Sequence, residues 1–146
     1  MNDKAFEYCL DLLKKRDRTS YELAVKLAGK GFGENDSVPV LKRLSELGLI
    51  DDNRVIKDIL KDRLYRRPMG RDGLTAVLEK SGIPGPVAEQ SAEMISDQRI
   101  VDAVLDYIDR NPRFLELKRL NSFLRSGGFE AEMVETILIR LGISLE

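Results

Sequence analysis

Four of the nine residues in RLYRRPMGR, positions 63 to 71, are arginines: Arg63, Arg66, Arg67 and Arg71. Planar guanidinium forks at this density hold phosphate or carboxylate oxygens in pairs, which is the chemistry of a contact with nucleic acid or an acidic partner. The run extends backwards through Arg54, Lys57 and Lys61, so that residues 54 to 71 carry seven cations against Asp58 and Asp62, a local balance of +5. Residues 84 to 109 carry -5, and the whole chain has a formal net charge of -1; the charge is segregated although it nearly cancels. A plainer reading is a solvated face, in which cations near a helix C-terminus complement the macrodipole by about 0.3 to 1 kcal/mol each. The excess of Arg54, Arg63, Arg66, Arg67 and Arg71 over Lys57 and Lys61 raises the binding reading level with the solvated one, since planar bidentate donors hold anions better than lysines do.

Other chemistry is sparse. The chain has no histidine, which removes Ser/His and Cys/His pairs and histidine metal ligands. Its single cysteine, Cys9, is spaced with Phe6, Leu10 and Leu13 on one apolar helical face and reads as a packing thiol. Asp51 and Asp52 are an acidic pair immediately before a helical pattern, and they are more simply an N-cap and a first-turn dipole partner than a carboxylate dyad. No phosphate-binding glycine loop is present, and Gly70 and Gly73 lack the preceding strand of a dinucleotide site. No catalytic residue, metal ligand set or cofactor is expected; the chain reads as a binding protein and not as an enzyme.

The elements that must position these cations form a repeat. LAVKLAGKGF (23 to 32), LTAVLEKSGI (74 to 83) and LNSFLRSGGF (120 to 129) share Leu, three residues, Leu, three residues, Gly and a large apolar residue. The Leu pair at i, i+4 marks the buried side of a helix, and the Gly supplies its left-handed C-cap. A second helix follows each unit, with Leu41 and Leu44, Ala92 and Ile95, or Leu138 and Leu141 as its inward pair. A further helical pattern precedes each: Phe6, Cys9, Leu10, Leu13; then Val55, Ile56, Ile59, Leu60; then Val101, Val104, Leu105, Ile108. Thr19 and Glu22 have capping-box spacing, Asp36 or Ser37 is expected to cap a helix with Pro39 in its first turn, and the helix of the basic run is expected from about Asn53 to Arg66.

Strand patterning is scarce, so the expected fold is all-α, with three tandem three-helix repeats forming an elongated, curved array. The repeats are placed at 1–50, 51–96 (with the basic first helix) and 97–146. The N-terminus MNDKAFEY lacks a signal peptide's apolar stretch, and no apolar run approaches the roughly 20 residues of a spanning helix, so a cytoplasmic monomer is expected.

RDRTSYELAVKLAGKGF (16 to 32), VLKRLSELGLIDDNRV (40 to 55) and GRDGLTAVLEKSGI (70 to 83) resemble successive signatures of the RecX family, and LKRLNSFLRSGGFEAEMVETIL (117 to 138) resembles its last repeat. That resemblance implies tandem three-helix repeats, as the spacing does independently. It further implies a regulator of the RecA recombinase that binds in the groove of the RecA filament on single-stranded DNA. Such a protein inhibits recombinase and coprotease activity by blocking filament extension or promoting disassembly, and so bears on homologous recombination, DNA repair and the SOS response.

With that resemblance, the filament or nucleic-acid face is expected at Arg54, Lys57, Lys61, Arg63, Arg66, Arg67 and Arg71. The alternative is a helical-repeat adaptor that recognises only protein and does not bind nucleic acid. Binding assays with DNA, alone and with RecA, separate the two.

Overall fold

A computed structural model describes residues 1–143; positions 144–146, the end of the third expected repeat, lie outside the described residues. Among the described residues the chain is all-α, with no strand. Its helices are α1 (Asp3–Lys15), α2 (Ser20–Gly29), α3 (Glu34–Glu46), α4 (Asp52–Arg66), α5 (Arg71–Lys80), α6 (Gly85–Glu93), α7 (Asp97–Arg110), α8 (Leu117–Ser126) and α9 (Ala131–Arg140), with a 3₁₀ turn at Pro112–Leu115 between α7 and α8.

The Leu–Gly frame folds as its spacing dictates. Leu23, Leu27, Leu74 and Leu78 are fully buried, and Leu120 and Leu124 nearly so. The glycine of each frame is left-handed, with φ of +91° at Gly31, +90° at Gly82 and +67° at Gly128. At Gly31 the reversal lets Phe32 N donate to Leu27 O at 3.1 Å and Gly31 N donate to Ala28 O at 3.0 Å, which satisfies carbonyls that the end of α2 would leave open.

Helix starts follow local caps. The Asn2 side chain accepts from Ala5 N at the head of α1, Ser96 from Arg99 N at α7, and Asp51 from Arg54 N at 3.1 Å at α4. Thr19 Oγ1 accepts from Glu22 N at 3.1 Å, as the capping-box spacing requires. The reciprocal half of the box is replaced: Glu22 Oε2 takes Arg16 Nη2 at 2.9 Å instead. The start of α3 differs from expectation. Gly33 occupies the cap position, so Asp36 and Ser37 lie inside the first turn and Pro39 lies further in. Pro39 has no N–H for the ladder there, while the turn before it is held by Asp36 N and Ser37 N on Gly33 O. In α3, α6 and α9 the best-buried pairs are Val40 and Leu44, Ala88 and Ala92, and Met133 and Ile137, an i, i+4 spacing; Leu41, Leu138 and Leu141 are half-buried.

The chain divides into two compact units, one of Met1–Lys57 with Lys80–Ile83 and one of Asp58–Glu79 with the chain from Pro84 onward. The first unit packs Ala5, Cys9, Leu12, Leu23, Leu27, Val40, Leu44 and Ile50 into one core, with Phe6, Leu10 and Leu13 partly covered against it. Burial pushes the Cys9 thiol above its ordinary pKa, the setting of a packing residue. Its polar staples lie in the RDRTS segment. Arg18, only 9% exposed, donates from Nε to Leu12 O near the end of α1. Thr19 donates to Ser81 O at 3.0 Å, and Asp52 accepts from Ser20 N and Ser20 Oγ at 3.1 and 2.9 Å, which ties the starts of α2 and α4 together.

The second unit is built around rings. Tyr107 of α7, Phe114 of the 3₁₀ turn and Phe123 of α8 lie 5.3 to 5.5 Å apart by centroid, and Phe129 joins Phe123 at 5.7 Å. Such pairs contribute about 0.5 to 1.5 kcal/mol each beyond the area they bury. The backbone at the head of α5 lies directly on the turn after α8, where Gly70 N donates to Gly127 O at 2.8 Å. A Cβ on Gly70 would collide with the backbone of Gly128 and Phe129, and one on Gly73 would lie 2.7 Å from Gly127 O. Only hydrogen fits there.

Candidate functional site

Helical spacing puts the expected cations in two rows, Arg54, Lys57 and Lys61 at i, i+3, i+7 and Arg63, Arg66 and Arg67 at i, i+3, i+4. Arg67 N still donates to Arg63 O at 3.1 Å, so the helical path continues through it. Pro68 then ends the helix.

The surroundings of these side chains separate them. In the first unit Arg54 is held by Asp17 through Nε and Nη2 at 3.1 and 3.3 Å, and Lys57 is exposed with no ion pair among the described residues. In the second unit Lys61 and Arg63 are likewise exposed and unpaired among the described residues. Arg66 meets Asp62 at 2.8 Å, one turn back on the same helix, an exposed pair that is worth little and exchanges readily with solvent.

Arg71 differs in kind. Its side chain is 16% exposed, and it reaches Asp97 and Glu130 at 2.7 Å each. It also donates to Ile95 O at 2.5 Å. Burial opposes its charge, but the hydrogen bonds and fields of Glu130 and Asp97 outweigh that, and the guanidinium is held above its ordinary pKa. The residue joins the head of α5 to the starts of α7 and α9.

Arg67 meets no carboxylate among the described residues. Its guanidinium lies 5.5 Å from the Phe123 ring centroid and 5.9 Å from that of Phe114. It borders an open groove of about 580 Å³ that Arg113, Phe114, Glu116, Lys118, Arg119, Ser122 and Phe123 also line. Arg113 rests 5.2 Å from the Phe114 centroid and Lys118 has no ion pair among the described residues; Arg119 is bonded to Glu116 at 3.0 Å. Arginine stacked on a ring keeps its N–H donors and its full charge available, whereas arginine on a carboxylate does not.

Sequence reasoning singled out Arg67 in this groove and missed Arg113, Lys118 and Arg119. The signal was present: residues 110 to 125 hold Arg110, Arg113, Lys118, Arg119 and Arg125 against Glu116 alone, and α8 contains no acid. Beside the groove, Arg110 lies 4.4 Å over the exposed ring of Tyr65 and donates to Tyr65 O at 2.7 Å. Among the described residues no group of acidic and cysteine side chains converges as a metal site would, and no helix is long and apolar enough to cross a membrane.

Residues 5–44 match the family described as RecX, first three-helix domain. The chain is 30% identical to the regulatory protein RecX of Amycolatopsis mediterranei over 142 residues, covering 92% of this chain and 81% of that one. It is 30% identical to the regulatory protein RecX of Chlorobium limicola over 146 residues, covering 95% of this chain and 90% of that one. The crystal structure of RecX from Lactobacillus salivarius superposes with a TM-score of 0.79 at 21% identity, over 96% of each chain, so the fold is shared as well. With this identity along nearly the whole chain, the protein belongs to the RecX family of regulatory proteins.

Proposed function

We propose that this protein regulates RecA by binding the RecA filament on single-stranded DNA, and that it restrains recombinase and coprotease activity by blocking filament extension or favouring disassembly. What carries this reading is its likeness along nearly the whole chain to proteins named as RecX regulators. In it the chain works as three three-helix modules, 1–50, 51–96 and 97–146, acting as a cytoplasmic monomer by binding and not by catalysis. The filament face includes Lys57, Lys61, Arg63, Arg66 and Arg67, whose charges are unpaired or only loosely paired among the described residues. Arg54 and Arg71 belong to the same run but must give up Asp17, or Asp97 and Glu130, before meeting a phosphate. Binding shifts RecA only by the difference in affinity for its filament states.

The test is the rate of ATP hydrolysis by RecA on single-stranded DNA. Wild-type protein is expected to slow it, and the Arg63→Ala, Arg66→Ala, Arg67→Ala triple variant, shown by circular dichroism to keep its helix content, is expected to slow it less. Hydrolysis indifferent to the wild-type protein overturns the reading, and equal inhibition by the folded triple variant removes these arginines from it.

A further inference from the structure

We infer that the groove between α7, the 3₁₀ turn and α9 is a docking site for a cationic amphipathic helix of a partner protein, one that presents a large apolar side chain flanked by lysine or arginine. It uses none of the cations of the proposed filament face, and it accounts for part of the acidic stretch at residues 84 to 109.

The groove has a volume of about 520 Å³ and lies within the second unit. Its apolar lining comes from three elements: Leu105 and Ile108 of α7, Pro112 and Leu115 of the turn, and Leu141 directly after α9. Ile108 is buried, Leu105 and Leu141 are half-buried and Leu115 is 52% exposed, so apolar surface converges there without being covered by any described residue. Exposed leucines scattered singly are ordinary, but a concave cluster of them is how a soluble chain receives an apolar anchor.

Charge selects the occupant. Asp102, Asp106 and Asp109 follow at i, i+4 and i+7 along one edge of α7, and the last two line the groove itself. Asp106 is held by Arg110 in an exposed pair, while Asp102 and Asp109 are exposed with no ion pair among the described residues. Asp109 lies in the last turn of α7, where the macrodipole disfavours a carboxylate, so helix stability does not explain it. Arg140 is the one cation in the lining. An acidic edge repels phosphate, which argues against nucleic acid and anionic lipid, and it attracts lysine or arginine. A helix with anchors at i, i+3 and i+4 fills the apolar groove and meets that edge from one face. A second copy of this chain fits less well, because its cation-rich helix α4 keeps Val55, Ile56, Leu60 and Leu64 buried in its own fold.

The experiment is fluorescence anisotropy of a labelled helical peptide with leucines on one face and lysines beside them, titrated with the full chain. Two control peptides carry glutamate for lysine, or the same residues scrambled so that the leucines share no face. Wild-type protein is expected to bind the first peptide on the order of tenfold more tightly than either control, and Leu115→Ser to lose about tenfold, the worth of one leucine-sized contact. Asp102→Asn, Asp109→Asn should bind a few-fold more weakly, with a smaller loss of affinity as salt rises. Val38→Ser, an equally exposed apolar position on α3 in the first unit, is expected to bind as wild type. Circular dichroism with wild-type helix content qualifies each variant. No binding by the wild-type protein overturns the site, as does equal affinity for a control peptide, full binding by Leu115→Ser or equal weakening by Val38→Ser. Self-association in sedimentation velocity that Leu115→Ser abolishes gives the groove to a second copy and overturns it too.

Discussion

Residues 63 to 71 and residues 110 to 125 are both basic, yet they spend their cations differently. In the first, Arg66 is paired with Asp62, and Arg71 is drawn into the second unit by Asp97 and Glu130, leaving Arg63 and Arg67 unpaired among the described residues. In the second, Arg110 is bonded to Asp106 and Arg119 to Glu116, while Arg113, Lys118 and Arg125 meet no carboxylate among the described residues. Charge available to a partner is thus set by which carboxylates the fold delivers, and those can lie far away: Glu130 is 59 residues from Arg71. A count of charges along the chain is silent about that.

The comparison breaks most severely where the first stretch meets the turn that follows the second. Gly70→Ala places a methyl group into the Gly128–Phe129 backbone and should cost about 2 to 4 kcal/mol, read as a lower urea midpoint, or prevent folding altogether. A midpoint unchanged by this substitution contradicts the close approach.

Next in size is the contrast between two arginines of one run. Arg71→Ala removes bonds to two carboxylates and a carbonyl; because Asp97 and Glu130 are 76% and 54% exposed, the loss is discounted to roughly 1 to 3 kcal/mol. Arg63→Ala, which breaks no pair among the described residues, should change stability by less than about 0.5 kcal/mol. Equal midpoints for the two variants in the same urea titration would erase the distinction between clamp and free cation.

The smallest effect sharpens the account of α8. Glu116→Gln releases Arg119 from its 3.0 Å pair and removes the groove's one carboxylate. Stability should hardly move, since the pair is exposed, and affinity for RecA filaments on single-stranded DNA should rise by a few-fold. Anisotropy measurements showing weaker binding would place Glu116 among the contacts instead.

How much of this could be read beforehand follows from the range of each interaction. Leu23, Leu27 and Gly31 announce a helix and its cap because the bonds that matter span five residues, and the same holds for Thr19 with Glu22 and for Asp51 before α4. The start of α3 was misjudged because Asp36 and Ser37 are good caps in isolation, while the helix opens earlier, at a glycine with no side-chain cap. The carboxylate that Arg71 shares with α9 is 59 residues away, so nothing near it in the chain announces the clamp. The cations of α8 were legible in composition but were overshadowed by the denser run at α4. The Gly70 contact with Gly127 and Gly128 had no local signature at all, because only a folded chain brings two glycine turns together.

The salt dependence of binding to RecA filaments on single-stranded DNA puts the assignment of the free cations to the sharpest test. Wild-type affinity should fall with salt, and in a folded Arg63→Ala, Arg67→Ala variant the log–log slope should be shallower by about 0.7 for each phosphate contact removed. An unchanged slope, or binding indifferent to salt in the wild-type protein, would contradict the role given to the unpaired arginines.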